Sequence, residues 1–412
     1  MTGRTTTEVD LTDVDRFVRG EHHQLLARLR DQDDLHWNPL DNGGFWALTR
    51  YDEVAAAYAD HAAFSSAGGA MLGGSFRNEV DTATGRMLVA SDPPRHRLLR
   101  QQMHALFAPP VVERVRAQID TLLVAAFDRM IDDGGGDFAE DIAMELPAGA
   151  LMAMLDVGHD DALRLVRLTR RMIGFRDPLL GARGGDERTH LASIQGQIFD
   201  FFEDLVDDRR GGDGEDMVSI LLRARINGRP LPDEDVLYNC MNVAVGGNET
   251  SSYSACVGME ALMAHPDQYD RLLDRREVTE PLIDEVLRWA STNAYVQRIA
   301  TRQVRVRDQV IEPGDVVTLW NVSANRDAAQ FAAPDTFDTD RTPNRHLTFG
   351  HGVHRCIGAV LGRTELDAVF GHVARHRIRL APTAPSTRLR SNFILGTTRM
   401  PVEVRGGHRA AG

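Results

Sequence analysis

The 412-residue chain reads as a mainly α protein with small β-sheets, an α+β architecture. Three observations predict it. Apolar residues recur at helical spacing through most of the middle of the chain, from Val111 to Ser291. β-rich runs are short and lie beside turn signals, near the N-terminus, between Val304 and Trp320, and close to the C-terminus. A cysteine in a glycine-rich stretch, Phe349 to Gly358, leads straight into a last apolar-periodic segment, Ala359 to Val373, that reads as a helix.

In chain order, His36-Trp37 and Phe45 to Leu48 flank Asp41-Asn42-Gly43-Gly44 and predict a hairpin. Tyr51 to His61 is helical. Phe64 to Met87 is rich in Gly, Ser and Ala and has no clear period, as binding loops often do. Ser91-Asp92-Pro93-Pro94 starts a helix with Pro near its first turn, which places His96 and Arg100 on one face. Val111 to Asp132 and Phe138 to Leu155 are amphipathic helices. The acidic glycine run between them, Asp132 to Asp137, reads as a solvated loop.

Asp161 to Gly174 and Arg188 to Asp208 are two more helices, joined by the Gly-rich stretch Phe175 to Glu187. Arg170, Arg171, Arg176 and Arg183 gather there and are expected to be mostly solvated. Pro232-Asp233-Glu234-Asp235 opens a helix that runs to about Ala264. Its middle carries Gly246-Gly247-Asn248-Glu249-Thr250. Two glycines inside a helix cost about 1 kcal/mol each relative to Ala, which predicts close packing or a local opening there. Asn242, Val245, Gly246, Glu249 and Thr250 fall on one face by spacing. Glu280 to Ser291 is a helix with Glu285 and Arg288 one turn apart. Val304 to Val310 and Val316 to Trp320, broken by Glu312-Pro313-Gly314-Asp315, are expected to join the N-terminal hairpin in one sheet. Asn392-Phe393-Ile394 reads as the tip of a last hairpin.

No run of about 18 apolar residues occurs, so no membrane span is expected, and Met1 to Asp15 has no signal-peptide pattern. All 47 basic residues are Arg, and the net charge of −13 argues against a nucleic-acid partner. Of the three cysteines, Cys240 and Cys256 fall on one helix ~24 Å apart and cannot bridge. Unpaired cysteines fit a reducing compartment, and a soluble cytoplasmic monomer is expected.

Cys356 stands just before a helix N-terminus, where free N–H groups and the helix dipole favour an anion, so a thiolate and a strong metal ligand are expected. A zinc site using Cys356, His351 and His354 is poorly spaced and lacks a second nearby Cys. The fixed pattern here is F-G-x-G-x-H-x-C-x-G, from Phe349 to Gly358.

That pattern resembles the haem-binding loop of the cytochromes P450, and the resemblance extends in order to other motifs covering about Leu11 to Val404. It implies the P450 fold, one catalytic domain over residues 1–412 with frayed ends at about 1–8 and 405–412, and haem b between the long central helix and the Cys loop. Cys356 becomes the axial iron ligand. His96, Arg100, Arg298 and His354 are assigned to the haem propionates, and Gly246, Phe349 and Gly350 to haem contact. Gly246-Gly247-Asn248-Glu249-Thr250 resembles the oxygen-binding motif, with Glu249 and Thr250 relaying protons to dioxygen. Glu is a common variant where many relatives carry Asp. Asn242, Val245, Gly246, Asn293, Ala294, Val296, Phe393 and Ile394 are expected around the substrate. Glu285, Arg288 and Arg341 are expected as a structural triad.

The function so implied is a haem-thiolate monooxygenase oxidising a small organic molecule, first of all in natural-product (secondary) metabolism. Sterols, terpenoids or fatty acids come second, and carrier-protein-tethered substrates third. A non-catalytic haem-thiolate sensor is the reading from another class. NAD(P)H-derived electrons would arrive through a ferredoxin on the proximal face, where Arg95, Arg97, Arg355 and Arg363 are expected to form a basic patch.

Overall fold

The structure is a computed structural model that describes residues 9–41, 43–72, 82–181 and 187–409. Asn42 of the expected hairpin turn, residues 73–81 of the Gly- and Ser-rich stretch, and Arg183 lie outside the described residues.

The body is a stack of helices around one long element. The central helix, Asp233–Ala264, is unbroken over 32 residues. It packs against Glu145–Leu155, His159–Ile173, Glu280–Ala290 and Ala359–Arg375, and Pro109–Asp132 lies against two of these. Their facing sides make the largest apolar cluster, which runs from Leu99 through Phe127 and Met259 to Phe370. The central helix is buried over much of its circumference, which explains why its sequence shows no single apolar stripe.

The main sheet has five strands in the order His36–Leu40, Gly43–Leu48, Val316–Leu319, Val296–Ala300, Phe64–Ser65. Trp37 pairs antiparallel with Trp46, Trp46 parallel with Val317, and Val317 antiparallel with Arg298. This register carries Arg298 into the buried side of the sheet, with Tyr58 of the helix Tyr51–Ala59 beneath its guanidinium.

Four expectations are corrected. Val304–Val306 and Gln309–Ile311 pair only with each other and stay out of the main sheet. The acidic glycine run is not simply a loop: Gly135–Asp137 is a strand against Pro401–Gly406, and a Cβ on Gly135 would run into the Val402 carbonyl oxygen. Asp137 then accepts from the backbone N–H groups of Ala139, Glu140 and Met400. The segment from Phe138 to Leu155 is consequently two elements, a wide turn over Phe138–Ile142 and the helix Glu145–Leu155. The C-terminal end is tied in as far as Gly406, opposite Arg379.

Candidate functional site

The cysteine loop has a shape that side chains would prevent. Gly350 and Gly352 have φ of +65° and +68°, and a Cβ on Gly352 would lie 2.6 Å from the Tyr58 carbonyl oxygen. The loop closes on itself where the Cys356 N–H donates to the Phe349 carbonyl, 2.8 Å. Cys356 keeps an exposed face. Protein packed around the sulfur nonetheless raises its pKa above the ordinary thiol value, against the Gly358 N–H and the Arg100 and Arg355 charges. Desolvation outweighs those influences, and a directly bound cation is what deprotonates such a thiol.

Around the loop, four cationic or donor groups converge. His96 and Arg100 come from the helix Arg95–Met103. The His96 ring lies 4.0 Å from the His354 ring. Burial, then neighbouring positive charge, lowers His96 to about 4 and His354 to about 2. Both His96 ring nitrogens and Nε2 of His354 are buried without partners. Arg298 donates to the Gln297 carbonyl, 2.7 Å, and neither it nor Arg100 forms an ion pair among the described residues. Buried ring nitrogens without hydrogen-bond partners are rare in folded chains, and two of them beside two guanidiniums free of ion pairs among the described residues fit a ligand that brings carboxylates.

On the central helix, a Cβ built on Gly246 or Gly247 meets nothing within 4 Å. The glycines therefore border open space on an intact helix, neither packed closely nor opening it. The Thr250 hydroxyl donates to the Gly246 carbonyl, 3.0 Å. Asn242 and Val245 are half-buried. The Glu249 carboxylate lies inside the protein. It is 1% exposed and accepts from Thr169 at 3.4 Å, and Oε2 lies 3.7 Å from Nε of Arg170. Burial pushes Glu249 up to about 7, against the Arg170 charge. Among the described residues no hydrogen bond joins it to Thr250.

Arg170, in the run expected to be mostly solvated, is an exception. It is 4% exposed, sits over the Tyr253 ring at 5.3 Å and reaches Glu140 at 3.4 Å. The sequence concealed it because a last-turn Arg in a run of Arg reads as solvated. Tyr253 follows Glu249 by four residues, the one local signal of this cluster. Glu365, also unforeseen, is buried on the helix Ala359–Arg375 and pushed up to about 7 by desolvation, with Ser251 opposing.

The segment after Ser291 meets the loop between the strands Thr387–Arg388 and Thr397–Arg399, so the expected hairpin tip exists. Ala294 N–H donates to the Phe393 carbonyl, 2.9 Å, Asn293 bridges to Ile394, and the Tyr295 and Phe393 rings lie 5.4 Å apart. Asn293, Val296 and Phe393 are half-buried and Ile394 is buried. Ala294 is 0% exposed, so protein surrounds it on every side and it presents no atom to a ligand, which corrects its placement among the pocket residues. The tip is also fastened outward. Arg390 N–H donates to the buried Asp177, 2.8 Å, and its guanidinium meets Asp15 at 2.8 Å.

Glu285 and Arg288 form a doubly hydrogen-bonded pair at 2.7 Å, both wholly buried, and Arg341 Nε reaches the same carboxylate at 3.0 Å. The proposed basic patch is half dissolved. Arg95 pairs with Asp235 and Arg363 with Asp284, leaving Arg97 and Arg355 exposed.

Three comparisons bear on this geometry. A family model described as Cytochrome P450 matches residues 45–399. Cytochrome P450 NovI of Streptomyces niveus is 31% identical over 97% of each chain. Linalool 8-monooxygenase of Pseudomonas putida is 30% identical over 95% of this chain and 98% of its own. Among solved structures, P450 OxyD, involved in the biosynthesis of vancomycin-type antibiotics, superposes with a TM-score of 0.86 at 32% identity, covering 97% of this chain and 100% of that one.

Proposed function

The chain belongs to the cytochrome P450 family, and from that premise we propose that it is a single-domain, haem b-dependent monooxygenase that inserts oxygen into a natural product of modest size. The family works with haem, dioxygen and external reducing equivalents, and no helix among the described residues is long and apolar enough to cross a membrane. The observation that carries the reading is Cys356 on its glycine-shaped loop beside four cationic or donor groups that meet no carboxylate among the described residues. Similarity to OxyD favours an antibiotic-type substrate, and similarity to linalool 8-monooxygenase supports a terpenoid as second choice.

In this reading the Cys356 sulfur would bind the haem iron, and His96, Arg100, Arg298 and His354 would hold its carboxylates. Phe349, Gly350 and Gly246 shape the faces. A haem bound there supplies the oxygen activation. The chain supplies the rest. The Thr250 hydroxyl holds a proton at the open side of the central helix. Glu249, with a pKa near neutral, both takes and releases a proton at working pH. Asn242 and Val245 orient the substrate from above, with Asn293, Val296, Phe393 and Ile394 at its side. Electrons arrive from a ferredoxin at the face bearing Arg97 and Arg355.

The test is a reduced carbon monoxide spectrum of wild type and Cys356→Ser, followed by a compound panel read by the substrate-induced spin shift and by product formation with a surrogate ferredoxin system. A thiolate-type band in wild type and its loss in the variant are expected. A band unchanged by Cys356→Ser overturns the proposal.

A further inference from the structure

The residue just before the triad's Glu285 faces another way. Asp284 Oδ1 accepts from Nε2 of His346 at 3.3 Å and from the Arg363 guanidinium. His346 in turn accepts the Thr348 N–H at Nδ1, 3.3 Å, so its proton sits on Nε2, directed at Asp284. The two partners flank one ring. The His346 ring lies 5.8 Å from that of Phe349, and the Arg363 guanidinium lies 5.8 Å from the same centroid. Phe349 also borders the next helix, where a Cβ on Gly362 would stand 3.7 Å from its edge. Its carbonyl accepts the Cys356 N–H.

We propose that Asp284 is a positioning residue for the metal-ligating loop: through His346 and Arg363 it holds Phe349, and through the Phe349 carbonyl it holds the backbone of Cys356. The inference rests on the haem-thiolate reading above and adds a residue to it. One carboxylate ties together three parts of the chain, the helix Glu280–Ala290, the approach to the loop, and the first turns of Ala359–Arg375. Its side chain is 18% exposed, and the two charge-assisted partners lower its pKa against the cost of burial, so it is an anion at neutral pH. Glu285 beside it secures Arg288, Arg341 and Asn344, and among the described residues no hydrogen bond or ion pair links Glu285 to the cysteine loop. The two adjacent acids therefore divide the work. Glu285 fixes the approach to the loop and Asp284 fixes the loop itself.

The experiment follows the lifetime of the thiolate band in the reduced carbon monoxide complex of the holoenzyme, in mild urea, for wild type, Asp284→Ala, Asp284→Asn, Asp284→Glu and Asp340→Asn. The last removes an exposed ion pair with Arg275, outside this network. Expected is about tenfold faster loss of the band in the Ala and Asn variants, from the missing charge-assisted bonds. Asp284→Glu restores most of the lifetime, Asp340→Asn leaves it unchanged, and the global unfolding midpoint by circular dichroism barely moves. Wild-type lifetimes in Asp284→Asn and Asp284→Ala overturn the proposal, as does loss that only tracks the global midpoint across all variants. Should Asp284→Ala not fold, Asp284→Asn decides alone. A wild type without the thiolate band overturns the proposed function instead, a result separate from any variant.

Discussion

The Glu249 carboxylate and the Arg170 guanidinium lie 3.7 Å apart, both almost wholly buried, without a hydrogen bond between them. Among the described residues Glu249 Oε2 and two of the Arg170 nitrogens make no well-formed hydrogen bond. The contact is close enough for the charges to feel each other and too loose to repay desolvation of the acid, so Glu249 titrates near neutral pH.

That titration has a sign. The folded state raises Glu249 from 4.5 to about 7 and so binds more protons than the unfolded chain between those values. Its contribution to stability is therefore most favourable below pH 4.5 and declines as pH rises toward 7, by up to about 3 kcal/mol. Glu249→Gln removes this decline. Urea unfolding of both proteins across that range should show the variant gaining on wild type as pH rises, and a constant difference would refute the assignment.

Two glycine-to-alanine changes should have opposite consequences. Gly246→Ala meets no atom and replaces a poor helix former, so it stabilises by about 1 kcal/mol while narrowing the open side of the helix. A higher melting temperature with slower turnover is the expected pair of results. Gly352→Ala sets a Cβ against the Tyr58 carbonyl at positive φ and should cost at least about 1–3 kcal/mol, with loss of haem uptake by absorbance.

Glu285→Ala leaves Arg288 uncompensated in a wholly buried site. The expected cost is about 3–5 kcal/mol, seen as poor recovery of folded protein and a lowered urea midpoint. A midpoint within error of wild type would show that the carbonyls of Asn325, Pro334 and Thr336, which also accept from Arg288, suffice.

Asp177 is buried and accepts the Leu179 and Arg390 N–H groups at 2.8 Å. Asp177→Ala orphans both donors, at about 1–3 kcal/mol each where they stay buried. Hydrogen exchange should quicken at Leu179 and Arg390, and substrate association and dissociation should both speed up. Unchanged exchange at the two amides would sever this link.

What the sequence by itself determined is what neighbouring residues determine. The turn before Ala359 is written in closely spaced glycines, because Gly adopts the positive φ needed at Gly350 and Gly352 without steric cost. His96 and Arg100, and Glu285 and Arg288, are one helical turn apart, so their juxtaposition follows from helix geometry before any folding. The 32-residue central helix is legible from its acidic start and its uninterrupted run. Tertiary structure decided what depends on residues far apart in the chain. Arg170 meets Glu249 79 positions away, Arg390 meets Asp15 across 375, and the strand at Gly135 exists only because Pro401–Gly406 lies beside it. It also decided which residues lose contact with water, which is why Ala294 closed into the core and why the Glu249 acid is held up rather than down. Burial is a property of the whole packed chain, and the local pattern of side chains does not contain it.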